Sequence, residues 1–181
     1  MIAVTTIVPS IIPKVTDENF LTAEREHAWR AVLKGQALLV NRLDADLRAH
    51  TDLSLIDYDV LVQLSEAPER RLPMADLAQA VVYSRSGLTR LVDSLQRRGL
   101  VTREHSSSDR RSWYAALTDT GLAKLQNAWP VHAAGVRDHF GAHTTPEQAR
   151  TLATVFGSVI ADLAPDNKEL SHFHPNRPDT P

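Results

Sequence analysis

At 181 residues, with 43% hydrophobic and 23% charged side chains, the chain is long enough for a substantial core, and its lack of cysteine excludes disulfides, thiolate metal sites and cysteine-based redox sensing. No apolar run approaches the roughly 18 residues a bilayer span requires, and no basic segment precedes an apolar one at the N-terminus, so no membrane partner and a cytoplasmic location are expected. The net charge of −2 hides an uneven distribution: residues 84–111 hold seven arginines against Asp93, Glu104 and Asp109, while residues 1–83 carry eight basic and twelve acidic side chains and residues 112–181 five and seven. Positive charge gathered in one stretch of an acidic chain suits a nucleic-acid contact and discourages non-specific adhesion elsewhere.

Residues 1–21 hold Pro9 and Pro13 among β-branched clusters without helical period, and read as an N-terminal arm, disordered in part or laid on a partner subunit. Residues 22–49 follow as a long amphipathic helix. Trp29, Val32, Leu33, Leu39, Val40, Leu43 and Leu47 keep helical spacing behind Thr22 as cap, and the apolar stripe is longer than a small domain can cover alone. A short helix near 57–66 turns Tyr58, Leu61, Val62 and Leu64 inward; a second, near 73–81, starts at Pro73 and buries Met74, Leu77 and Ala78.

Residues 84–98 form the best-specified helix. Leu88, Leu91, Val92 and Leu95 share one face, Ser84 stands at the N-cap, and Gly99 stands where a C′ glycine belongs, with Leu95 and Leu100 as the apolar pair of a Schellman ending. This spans roughly 22 Å at 1.5 Å per residue. The opposite face carries Arg85, Ser86, Thr89, Arg90 and Asp93, side chains able to donate to base edges or phosphates. A two-stranded ribbon follows, with Val101, Trp113, Ala115 and Leu117 at the buried positions of a period-two pattern and the polar run Ser106 to Arg111 at its tip. Asp109, two residues before Arg111, can orient that guanidinium through a charge-assisted bond. A helix followed directly by a basic hairpin is the layout of a winged helix-turn-helix, in which the helix fits a major groove and hairpin arginines reach the adjacent minor groove.

Thr118 caps another long helix, about 119–140, with Leu122, Leu125, Trp129, Val136 and Phe140 along it and Pro130 expected to kink it. Thr144 or Thr145, with Pro146-Glu147-Gln148, opens a last helix to about Leu163 whose apolar face is Leu152, Val155, Phe156, Val159, Ile160 and Leu163. Residues 164–181 hold Pro165, Pro175, Pro178 and Pro181 and read as a disordered tail.

Residues 72–121 resemble the DNA-binding core of the MarR family of bacterial transcription regulators. The wing signature of that family, Asp-x-Arg, three residues, an aliphatic, one residue, Leu-Thr, reads here Asp109-Arg110-Arg111-Ser112-Trp113-Tyr114-Ala115-Ala116-Leu117-Thr118, departing only in Ala115, where valine is usual. SRSGLTRLV followed by RRGLV is similar to the family's recognition helix and its exit, and the flanking helices extend a weaker resemblance to residues 22–163. The resemblance implies a mainly α fold with a small β-wing: a winged helix-turn-helix over 53–118, with helices 22–49 and 119–163 pairing with a second subunit. It implies a homodimer on a pseudo-palindromic site in double-stranded DNA, a repressor in the commonest case. Ser84, Arg85, Ser86, Thr89 and Arg90 would contact bases and phosphates, Arg111, oriented by Asp109, the minor groove, and Arg110 the backbone.

It also implies a small effector, often an aromatic acid or phenol, bound between the dimerisation helices and the winged domain. Trp29, Tyr58 and Trp129 are the aromatic candidates for such a pocket and Asp59 its candidate polar anchor. Aromatic residues at helical spacing are more often core, and Asp59 equally suits the surface of a first helical turn. Arg97 and Arg98 either reach phosphate or complement the helix dipole.

No catalytic or cofactor motif is present: there is no Gly-x-Ser-x-Gly elbow, His-Glu-x-x-His, Walker A loop or dinucleotide glycine pattern, so neither an enzyme nor a cofactor is expected. His132 and His139 lie seven apart on one helix and would need His27 or His143 to complete a metal shell; packing or exposure explains them better, and no metal is expected. Two other functions fit a basic winged helix: an interaction module docking an acidic protein partner, and a ligand-buffering protein using the aromatic cavity without an operator.

Overall fold

A computed structural model describes residues 22–105 and 113–173. Cα packing divides the chain after Leu38, inside the first helix, and the unit from Leu39 onward holds the core.

Helix α1, Ala23–Thr51, is exposed along most of its length, Trp29, Leu33, Leu38 and Val40 included, and buries Leu43, Leu47 and Thr51 near its end. Asp52, at φ 58°, turns the chain, and Ser54 begins α2, Leu55–Glu66, with a capping box. The Asp57 N–H donates to Ser54 Oγ at 3.1 Å while the Ser54 N–H donates to Asp57 Oδ2 at 3.0 Å. Two orphan donors are thereby satisfied reciprocally, which is why α2 starts two residues before the position expected from its apolar spacing.

A 3-10 turn over Pro68–Arg70 leads into β1, Arg71–Pro73, which pairs antiparallel with β3, Trp113–Leu117, in the register Leu72 to Ala115. Strand β2, Val101–His105, pairs on the other side of β3, giving the sheet order β1-β3-β2. The sequence pattern places Pro73 at the start of a helix instead. Three residues are too few to show strand alternation, and Pro73 is tolerated because it ends an edge strand. Pro73 then serves as N-cap of α3, Met74–Ala80.

Helix α4, Arg85–Arg97, sits between N-cap Ser84 and C-cap Arg98. Leu88, Val92 and Leu95 are fully buried and join Leu47, Leu53, Leu61, Leu64, Leu77 and Val101 in one core. Val101, Ala115 and Leu117 are buried as their alternation requires, but Trp113 is 42% exposed. It pairs with His105 at the loop end of the hairpin, beyond the core, and the two tilted rings lie 3.6 Å apart.

Helix α5, Asp119–His139, runs through Pro130 without a break, and α6, Pro146–Leu163, starts with a capping box between Thr145 and Gln148. Within the expected disordered tail, residues 165–173 are described and partly ordered. Lys168–Phe173 form a 3-10 helix packed against α3 and α6, and the Asn167 side-chain amide donates to the Gln79 carbonyl at 3.1 Å, an anchor that composition does not reveal. Among the described residues, no helix is long and apolar enough to cross a membrane. The N-terminal arm and residues 174–181 lie outside the described residues.

Candidate nucleic-acid interface

Local chemistry locks both ends of α4. The Gly87 N–H donates to Ser84 Oγ at 3.2 Å. At the other end Gly99 adopts φ 71°, its N–H donates to the Gln96 carbonyl at 2.9 Å, and the Leu100 N–H donates to the Leu95 carbonyl at 3.0 Å. These are the two bonds of a Schellman motif, with Leu95 and Leu100 both buried. With its inner face committed to the core, α4 turns Ser86, Thr89 and Arg90 to solvent. Arg90 makes no ion pair among the described residues, so its guanidinium has donors to spare for an outside acceptor. Arg85 opens the first turn of the same helix.

Asp93 lies on the same face with its charge paired inside the fold. Arg103, on β2, places Nη1 2.8 Å from Asp93 Oδ1 and donates from Nη2 to the Thr89 carbonyl at 3.0 Å. The role of Arg103 is not legible from sequence, because its partners lie ten and more residues back on another element. Only their separation along α4, one helical turn, hints at a shared contact. Asp109, Arg110 and Arg111, the expected wing contacts, lie outside the described residues; β2, the strand before them in the chain, is tied to α4 by this ion pair.

Arg98 has a partner within the fold. Its Nη1 donates to Asp57 Oδ2 at 3.0 Å and its Nη2 to the Asp52 carbonyl at 2.6 Å, tying the exit of α4 to the cap of α2. Arg71 spans the sheet: it pairs with Glu69, approaches Glu104 at 3.5 Å and lies over the Tyr114 ring at 5.6 Å.

The residues expected to line an effector pocket are less uniform. Tyr58 is a buried core residue on α2, its ring stacked 4.5 Å from that of His132 on α5. Its hydroxyl and His132 Nδ1 are both buried without a hydrogen-bond partner. Burial raises Tyr58 to about 12 and lowers His132. Asp59, half-buried and next to Tyr58 in sequence, has its pKa raised by burial against a hydrogen bond from Gln63. Trp129, on α5, is 60% exposed, and Trp29, on α1, is exposed too. His139 does not join His132: its Nε2 lies 3.5 Å from Asp46 Oδ2. Among the described residues, no three His, Cys, Asp or Glu side chains are grouped to hold a metal ion.

A MarR family model matches residues 51–112. The crystal structure of Sco3205 from Streptomyces coelicolor, a MarR family transcriptional regulator in complex with DNA, is 36% identical with a TM-score of 0.78, covering 81% of this chain and 92% of that one. AbsC from the same organism, also a MarR family transcriptional regulator, is 35% identical with a TM-score of 0.76, over 81% of this chain and 99% of that one. The HTH-type transcriptional repressor YetL of Bacillus subtilis is 33% identical over 75 residues, 41% of this chain and 45% of that protein. The chain spans about half the length of the curated relatives it matches.

Proposed function

This chain belongs to the MarR family of transcriptional regulators, and from that premise we propose that it binds a pseudo-palindromic operator as a homodimer and represses from it. One observation carries the reading: the outward face of α4, with Ser86, Thr89 and Arg90 exposed on a helix whose position and both ends are fixed by the fold. Rigid donors on a helix are what direct reading of base edges in a major groove requires. Arg85 belongs to that face by position, with Ser84 and the helix N-terminus beside a phosphate. Arg111, oriented by Asp109, enters the minor groove, and Arg110 holds the backbone.

The apolar stripe of α6 supports a homodimer. Val155, Phe156, Val159 and Leu163 recur at helical spacing and are all exposed, an arrangement that a single copy does not bury. Release by a small phenolic or aromatic ligand is supported by the buried, partnerless Tyr58 hydroxyl and His132 Nδ1, since buried polar atoms of a native fold ordinarily have partners. An effector that favours a dimer with mismatched helix spacing opposes DNA reciprocally.

The test is selection from a random duplex pool, followed by anisotropy titration of the selected duplex and a scrambled one across salt. An inverted repeat bound far more tightly than the scramble, with affinity falling steeply as salt rises, is expected. Arg111→Ala should weaken that binding at least about tenfold while leaving the dimer and its melting intact. Equal, weak binding to both duplexes would overturn the reading and leave a basic surface for an acidic protein partner.

A further inference from the structure

The turn between α3 and α4 contains a residue in the wrong backbone region for its type. Val82 has φ 49°, its N–H donates to the Gln79 carbonyl at 3.2 Å, and the Tyr83 N–H donates to the Ala78 carbonyl at 2.9 Å. Helix α3 therefore ends in the same Schellman pattern as α4, with Val82 at the C′ position that Gly99 fills at the end of α4. A β-branched side chain in the left-handed region is a steric outlier, and glycine or asparagine is the residue that position favours. Burial does not compensate: the Val82 side chain is 73% exposed. The next residue, Tyr83, is 46% exposed, and its ring lies against the first turn of α4. A Cβ at Gly87 would meet that ring at 2.6 Å, so the glycine admits the ring there. Two exposed apolar groups thus adjoin the N-terminal end of the helix that carries Ser86 and Arg90, and neither serves the core.

We propose that Val82, with Tyr83 beside it, extends the DNA-reading surface and meets the 5-methyl group of a thymine in the major groove. Backbone strain held at an exposed position points to a use outside the fold. Among the features the major groove presents, the thymine methyl is the apolar one, and a small branched aliphatic group complements it. The N-terminal residues of a recognition helix are those that approach base edges, and Val82 precedes the N-cap by two residues. The inference rests on the proposed DNA binding and names one determinant of its specificity.

The experiment uses the full chain, its selected duplex, and the same duplex with deoxyuridine replacing thymine in each half-site, one position at a time. Wild type should lose about fourfold in affinity when the contacted thymine loses its methyl group. Val82→Gly should bind the thymine duplex at the weaker level, be indifferent to the replacement, and melt at or above the wild-type temperature because the left-handed turn is relieved. Val82→Asn, which also tolerates that turn and lacks the methyl groups, should repeat the loss. If both variants bind the thymine duplex as wild type does, or if wild type ignores every replacement, Val82 is no contact and the inference fails while DNA binding stands. If wild type selects no duplex, the DNA-binding reading falls first.

Discussion

Arg103 holds Asp93 at 2.8 Å and the Thr89 carbonyl at 3.0 Å, so the first wing strand is fastened to the outer side of α4 by one guanidinium. The fork geometry of arginine makes this a positional clamp, since two bonds in one plane fix the strand's direction as well as its distance. A wing contact and a helix contact help each other on DNA only if their spacing is set beforehand.

Arg103→Ala should therefore cost more in operator affinity than in stability. Partial exposure of Asp93 limits the folding loss to about 1 kcal/mol, whereas loss of preorganisation should weaken binding about tenfold. Thermal melting beside anisotropy titration separates the two. Asp93→Asn added to Arg103→Ala should cost little more than Arg103→Ala alone, because the bond to Asp93 is already gone.

Asp57 is buried and performs two tasks, closing the cap of α2 and receiving Arg98. Asp57→Ala strips both and should destabilise the fold by about 3 kcal/mol. Arg98→Ala leaves the cap intact and should cost about 1–2 kcal/mol. Urea unfolding of the pair orders them; equal losses would show that the cap contributes no more than the Asp52 bond that only Arg98→Ala removes.

Two glycines in helices should respond oppositely to alanine. At Gly121, in the first turn of α5, an added Cβ would lie 2.1 Å from the Leu100 carbonyl oxygen. That oxygen is backbone, and it already accepts from the Thr118 N–H at 3.2 Å, so Gly121→Ala should cost about 2–3 kcal/mol. At Gly35, in α1, nothing lies within 4 Å of an added Cβ, and Gly35→Ala should stabilise by about 0.5–1 kcal/mol. Melting temperatures of the two variants moving in the same direction would contradict this account.

His132 should make stability depend on pH in a definite direction. Burial lowers its pKa in the folded chain, so the unfolded chain takes up the proton first as pH falls. Its contribution is complete above the unfolded value near 6.5 and is lost as pH drops from there through the folded value. Comparing urea midpoints of wild type and His132→Gln across pH 7.5 to 5 isolates this group, because Asp59, raised by burial and titrating in the opposite sense, is common to both. The wild-type advantage should shrink toward acid; a constant difference would place His132 in solvent.

Local chemistry made much of this molecule legible from sequence. Ser84, Gly99 and the Leu95/Leu100 pair marked both ends of α4, and Thr118 and the Thr144-Thr145 pair marked the starts of α5 and α6, because caps and Schellman endings are written within a few neighbouring residues. The outward face of α4 followed from helical period alone. Tertiary structure decided whatever depends on residues distant in sequence. Strand β1 exists because β3 offers it a ladder, Trp113 is exposed because its strand outruns the core, and Arg98 and Arg103 became internal ties because Asp57 and Asp93 came within reach. Val82 lies between these cases: its type was plain in the sequence, but its left-handed backbone was set by how α3 must end for α4 to begin. A charge or a strand edge acquires its role from the partner the fold supplies, and neighbouring residues do not encode that partner.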